Sequence, residues 1–144
     1  MSTLWGDEGE HGVSFAGEFF SFDHAHSNPK PVRPGGVPIH IGGHSDAAAR
    51  RAGRRGDGFQ PLGLRGEELA GKVAVMRQAA EDAGRDPASL ELSLGGALAT
   101  TTLEAVEEAA AAGAHRMVVS PTQSTDLDLV RDEMSEFAAR LGLV

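Results

Sequence analysis

The sequence predicts an α/β fold in which a small β-hairpin precedes four parallel β/α units. Three observations support this. Short runs with alternating or clustered apolar residues fall at 38–42, 57–60, 90–94 and 115–120. Each is followed by a segment whose apolar residues recur at helical spacing, and glycine or proline punctuates the boundaries. Connections of that length suit parallel neighbours joined by right-handed crossovers.

Composition narrows the function classes. A chain of 144 residues with 40% hydrophobic content suffices for one domain with a real core. Thirteen basic residues against 21 acidic ones give a net charge of −8, which speaks against a nucleic-acid partner. The absence of cysteine excludes disulfides and thiolate metal sites and is compatible with a reducing cytosol. No apolar run reaches the roughly 18 residues a membrane span needs, and the first residues lack the basic and apolar regions of a signal peptide. A soluble, cytoplasmic protein is expected.

Met1 to His11 is polar and glycine-rich, with Leu4 and Trp5 its only large apolar side chains. These two read as the end of an amphipathic helix, and Asp7 to Gly12 as its exit loop. Val13, Phe15, Phe20 and Phe22 flank Gly17-Glu18 and predict a hairpin turning near Ala16-Gly17. Part of the cluster Phe15, Phe19, Phe20 and Phe22 is expected to be buried under the sheet edge or in a partner, because such aromatic area is costly to leave in water. Pro29, Pro31 and Pro34, followed by Gly35-Gly36, leave no regular element before Pro38.

In the first β/α unit, Ile39 and Ile41 point to one face and His40 to the other. Gly42-Gly43 end the strand, and His44 or Ser45 caps a helix that starts at Asp46 and stops at Gly56. Two residues without a Cβ let a flat or anionic ligand approach the backbone, and the free N–H groups of the first helical turn would face it. A plain tight turn between strand and helix satisfies the same residues.

The second unit has a strand through Asp57 to Gln60 and a helix from Glu67 to Ala83. Leu69, Val73, Met76, Ala80 and Ala83 form its buried stripe, and Gly84 closes it. The third has Leu90 to Leu94, ended by Gly95-Gly96, and a helix capped by Thr101, with Glu104 reaching back, that runs to Ala112. The fourth has His115 to Ser120 and a helix capped by Thr125, with Leu127, Val130, Met134, Phe137 and Leu141 on one face. Such a set fits an open doubly wound sheet or a slice of a barrel. His40, Glu91, Ser93 and Arg116 place polar residues within the strands, which suits the inner layer of a barrel better than a sheet buried on both faces.

Pro38 to Ser45, together with Ala47-Ala48-Ala49-Arg50-Arg51-Ala52 and Gly56-Asp57-Gly58-Phe59-Gln60-Pro61, resembles the carboxy-terminal half of the luciferase-like monooxygenase family. These are (β/α)8-barrel enzymes that use FMN or the deazaflavin coenzyme F420. The resemblance implies half of a (β/α)8 TIM barrel and a flavin- or deazaflavin-dependent oxidoreductase or monooxygenase-like protein, incomplete and of low or no activity alone. Residues 1–144 are then a single luciferase-like domain fragment, with a hairpin and proline-rich insertion at 1–37 and four β/α units at 38–144. It implies cofactor binding by Gly42, Gly43, His44, Ser45 and Gln60, and assigns no catalytic residue. It also gives Asp57 a structural hydrogen bond or a salt bridge to Arg54 or Arg55. His40 itself reads as a partly buried structural histidine.

Four strands leave two raw edges and an uncovered inner face. Ile39, Ile41, Leu90, Leu92, Leu94, Met117 and Val119 are expected to form that face and to be covered by a second copy in a two-fold homodimer, the commonest assembly. The alternative function is a non-catalytic cofactor- or phosphate-binding half-barrel, assembled as a homodimer or with a separate amino-terminal half. Competing chemistries lack their residues. His24 and His26 beside Asp23 fall short of a closed metal ligand set, and neither a Gly-x-Ser-x-Gly turn nor a phosphate loop occurs.

Overall fold

Imperfect alternation between Val13 and Phe22 has a structural cause. In the computed structural model, which describes residues 2–6 and 11–143, strand β1 (Val13–Ala16) pairs antiparallel with β2 (Ser21–Ala25), and the register shifts between Val13 and Phe15. Phe15 then stands opposite Phe22, their rings stacked with centroids 5.8 Å apart. The turn is closed by the Gly17 N–H donating to the Phe20 carbonyl at 2.9 Å. Phe19 and Phe20, at 81% and 78% exposure, occupy its tip. The burial expected for this cluster fails there, because the register shift spends the paired positions on Phe15 and Phe22. Replacing Phe20 with alanine should therefore change the unfolding free energy by no more than about 0.5 kcal/mol. A denaturant midpoint that falls well beyond that would mean a covered ring.

The short helix α1 (Ser2–Trp5) accepts a hydrogen bond at its Leu4 carbonyl from Lys30 Nζ, at 2.8 Å. Most of the exit loop expected at Asp7 to Gly12 lies outside the described residues. The chain divides into two compact units, Met1–Pro38 and Ile39–Val144.

The second unit is built on strands β3 (His40–Gly42), β4 (Gly58–Gln60), β5 (Glu91–Ala97) and β6 (Arg116–Ser120), all parallel and in that spatial order. Period-two alternation sends Leu90, Leu92 and Leu94 to one side, where they join Phe59 and the apolar faces of three helices, α2 (Asp46–Arg55), α3 (Gly66–Glu81) and α4 (Leu103–Ala111). Ala48, Ala49 and Ala52 of α2 and Leu69, Val73, Met76 and Ala80 of α3 supply most of this core. Small residues on α2 let its backbone come close to α3. The result is four parallel β/α units that follow a hairpin in the chain, the architecture of half a (β/α)8 barrel.

The sheet's open side corrects one expectation. The leucines assigned to an uncovered apolar inner face are buried under helices, and the opposite side presents His40, Glu91 and Arg116. Helices α2, α3 and α4 pack on the leucine side, and burial selects the apolar set for it.

Smaller corrections concern boundaries. Gly95-Gly96 do not end the third strand, because they pair with Val118 and Val119 of β6 and carry it to Ala97. Helix α3 ends at Glu81, which leaves Ala83 exposed. Thr102 rather than Thr101 caps α4, its hydroxyl accepting from the Ala105 N–H at 3.2 Å, while Thr101 is buried. Helix α5 (Leu127–Arg140) is capped by Asp126 rather than Thr125. It buries no residue, and Leu127 and Met134, expected inside, are 81% and 56% exposed.

Candidate functional site

Five residues singled out by the sequence converge on the carboxyl end of β3. Gly42 is the register partner of Gln60 at the end of β4. The Gly43 N–H continues that pairing by donating to the Gln60 carbonyl at 3.2 Å. Gly43 has φ +133°, and an added Cβ would lie 2.9 Å from the Ala48 Cβ, so glycine is needed there for both conformation and space. Gly42 differs, since nothing lies within 4 Å of an added Cβ. Its surface is open to a ligand.

Ser45 starts α2: its hydroxyl accepts from the Ala48 N–H at 3.2 Å and its carbonyl from the Ala49 N–H at 3.0 Å. The first helical N–H groups, those of Asp46 and Ala47, have no intrahelical acceptor, and they lie in the turn of helix that follows Gly42-Gly43 in the chain. His44 is exposed, and its ring makes no hydrogen bond among the described residues. The Gln60 side chain is half buried. Gly42, Gly43, Ser45 and Gln60 thus share one corner through their backbones, with His44 at its rim.

Two cations not singled out from sequence, Lys72 and Arg65, lie at the ends of the strands and helix here. Lys72 of α3 donates to Asp46 Oδ1 at 2.5 Å, and Arg50 lies 3.6 Å from the other oxygen. The Lys72 hydrogen bond and charge hold the Asp46 carboxyl below its ordinary value of 3.8, against a small opposing effect of burial and with help from Arg50. A negative charge at the helix start is thereby neutralised by two cations, and an incoming anion meets a positive end. Arg65 donates to the Gly95 carbonyl at 3.2 Å and puts a guanidinium at the carboxyl end of β5. Neither pairing has a sequence signal, because the partners are 26 and 30 positions apart.

The depressed Asp46 pKa has a testable sign. A carboxyl whose folded pKa is lowered adds stability that is present above the unfolded value, near 3.8, and is lost as pH falls through the folded value. The stability gap between the wild type and Asp46→Asn should be present at neutral pH and shrink below about pH 4. A gap that is constant down to pH 2 would show that Lys72 and Arg50 do not act on the ionised form.

A second polar group lies near the amino ends of the strands. His40 Nδ1 is 3.2 Å from Ser93 Oγ. Its Nε2 is 3.2 Å from Glu91 Oε2, close enough for an ion pair with a protonated ring but outside hydrogen-bond geometry. Arg116 Nη2 contacts the same Glu91 oxygen. Gly58 makes room for the imidazole, since an added Cβ would lie 2.5 Å from His40 Cε1. His40 is the partly buried histidine expected, held within the sheet. Asp57 accepts from the Ile39 N–H at 2.8 Å instead of pairing with Arg54 or Arg55, and so ties the entries of β3 and β4 together.

Similarities to other proteins fit this geometry. An F420-dependent glucose-6-phosphate dehydrogenase of Mycolicibacterium gilvum is 39% identical over 90 residues, 60% of this chain and 25% of that protein. The enzyme of the same name from Mycolicibacterium fortuitum is 35% identical over 94 residues, 63% of this chain and 26% of that protein. The chain thus aligns with about a quarter of these relatives. An F420-dependent secondary alcohol dehydrogenase, solved with an F420–acetone adduct, superposes with a TM-score of 0.71 at 18% identity, over 96% of this chain and 58% of that one. The coenzyme F420-dependent tetrahydromethanopterin reductase of Methanopyrus kandleri gives 0.68 at 10% identity over the same shares. These two establish likeness of fold. The family model described as luciferase-like monooxygenase matches residues 1–142. That extent corrects the restriction of the resemblance to the carboxy-terminal half of the family. The match takes in the hairpin and the proline-rich stretch as well as the β/α units. The chain belongs to the luciferase-like monooxygenase family.

Proposed function

We propose that this chain provides the phosphate-holding corner of a flavin- or deazaflavin-dependent oxidoreductase, binding FMN or coenzyme F420 at Gly42, Gly43, His44, Ser45 and Gln60. The observation that carries the reading is the open Gly42 a few residues ahead of a helix start whose Asp46 and Ala47 N–H groups have no intrahelical acceptor. Gly42 leaves space for a phosphate oxygen against the backbone, the helix end supplies donors, and Lys72 and Arg50 cancel the one nearby carboxylate. The donor set therefore fits an anionic cofactor tail. When bound, such a cofactor supplies hydride transfer or the reaction of reduced flavin with dioxygen. This chain's residues bind and orient; none is assigned as catalytic.

Four strands cover only part of a ring-shaped pocket, so water has access to whatever is held at its rim. Binding by one chain is weak and turnover low or nil. Further strands, from a second copy or from an amino-terminal half, are needed to close such a pocket. A non-catalytic cofactor- or phosphate-binding half-barrel is the alternative, favoured by the partly exposed Glu91 and Arg116 on the side of the sheet away from α2, α3 and α4. Turnover assays with both reduced cofactors separate the two.

Calorimetric and absorbance titrations with FMN against riboflavin, and with F420 against its phosphate-free form, test the site. The phosphate forms should bind more tightly. Gly42→Val, whose Cβ meets nothing within 4 Å, should fold normally and lose most of that preference. No heat or spectral change with either cofactor at millimolar protein would remove the site from this chain.

A further inference from the structure

We infer that two copies of this chain close into one eight-stranded ring, each setting its α5 against the arginine face of the other's α2. The inference rests on the site reading above, in which the corner at the end of β3 is incomplete in a single chain, and it names the partner that completes it.

Strands β3 and β6 are the two terminal strands of the sheet. On β3 the Ile39 carbonyl and the Gly43 N–H bond toward β4, and the intervening peptide groups of the strand alternate toward the open edge. Such an edge is a template for another strand.

Helix α2 flanks that edge. Arg50, Arg51, Arg54 and Arg55 are all exposed and, with Ala47, surround a shallow depression of about 460 Å³. They are four of only 13 basic residues in a chain of net charge −8. Attraction to the negative end of the helix dipole accounts for Arg54 and Arg55 in its last turn, and Asp46 for Arg50. Neither accounts for Arg51. Gly53 faces α3, where an added Cβ would reach Ala79 Cβ at 3.0 Å. Arg51 and Arg55 lie roughly half a turn around the helix from Gly53, on the flank turned away from α3.

Helix α5 carries the complement. Asp128, Asp132 and Glu136 are exposed and four apart, so they form one stripe. Arg131 pairs with Asp128 and Asp132 on the same helix, and the stripe stays net negative. Beside it Leu127, Leu129 and Met134 are 81%, 50% and 56% exposed, and no residue of α5 is buried. Val130, Phe137 and Ala138 are half-buried against the chain, and the acidic stripe with Leu127, Leu129 and Met134 is left free for a partner. Because α5 follows β6, pairing β6 of one copy with β3 of the other brings α5 of the first beside α2 of the second. The two-fold axis repeats the contact, both edges vanish, and the ring closes. Closure also sets Ser120 and Thr122, at and beyond the end of β6, beside the other copy's Gly42 to Ser45.

Light scattering on the wild-type chain without cofactor should give twice 15.0 kDa. A chain with Arg51→Glu and Arg55→Glu, and another with Asp128→Lys, Asp132→Lys and Glu136→Lys, should each be monomeric. Both contacts of their heterodimer are complementary, so mixing them should restore the double mass. A monomeric wild type, variants that stay dimeric, or monomers that fail to combine would each overturn the inference. Mass is read without cofactor, so a dimer that binds no FMN refutes only the site, and a monomer that binds FMN refutes only this assembly.

Discussion

Replacing Phe59 with alanine is expected to lower the unfolding free energy by about 3 to 5 kcal/mol. Phe59 is fully buried on β4, between Ile41 of β3 and Leu92 of β5 in register. Its ring belongs to the core that joins the sheet to the alanine face of α2 and to Met76 of α3. Truncation leaves a ring-sized void that secondary structure on both sides prevents from collapsing. Since single domains are stable by only about 5 to 15 kcal/mol, the variant should be close to unfolding. Phe59→Leu keeps most of the volume and should cost less than about 1.5 kcal/mol. Denaturant titration of the three proteins decides the matter. An alanine variant that matched the leucine variant would mean that the ring is not fully enclosed.

Local pattern accounts for what could be read from the chain, and distant partners for what could not. Leu69, Val73, Met76 and Ala80 recur at helical spacing and are buried, because one stripe must face the sheet whatever the neighbours are. The same spacing in α5 led to a stripe of which Val130, Phe137 and Leu141 are only half-buried and Leu127 and Met134 exposed, since burial also needs a facing surface and periodicity carries no information about one. Thr101 and Thr102 have equal capping chemistry. The choice follows from a turn in which Arg140, far along the chain, donates to the Leu98 and Thr101 carbonyls. Gly95-Gly96 read as a strand end only while β6 is ignored.

The candidate corner was legible for a related reason. Strand end, turn glycines and cap are contiguous from Gly42 to Ser45, so short-range rules suffice to place them. Gln60 could be added by its position at the next strand end. The charges that tune the corner, Lys72 on Asp46 and Arg65 on the Gly95 carbonyl, depend on how α3 and its leading loop lie over the sheet. Arg85 is similar. It satisfies the carbonyls of Gly53 at 2.6 Å and Gly56 at 2.7 Å at the end of α2 from 32 and 29 positions away.

Gly53→Val is the second substitution expected to act strongly, and a paired alanine test reveals why. In an open helical position, glycine to alanine stabilises by roughly 0.5 to 1 kcal/mol, because the unfolded chain loses freedom. Gly71 of α3 is such a position, with nothing within 4 Å of an added Cβ. At Gly53 the added Cβ would run into the Met76 carbonyl oxygen and lie 2.9 Å from the Ala80 nitrogen. Those are backbone atoms of α3 and cannot turn aside as a side-chain end does. The helices must separate, which uncovers Ala49 and Ala80 and stretches the link from Lys72 to Asp46. Gly53→Ala should therefore destabilise where Gly71→Ala stabilises, and Gly53→Val should cost about 1 to 3 kcal/mol or more. Because α2 begins at the candidate corner, its displacement should also weaken FMN binding relative to Gly71→Ala. A neutral or stabilising Gly53→Ala would mean that α2 and α3 are not in backbone contact, and the placement of Asp46 beside Lys72 would fall with it.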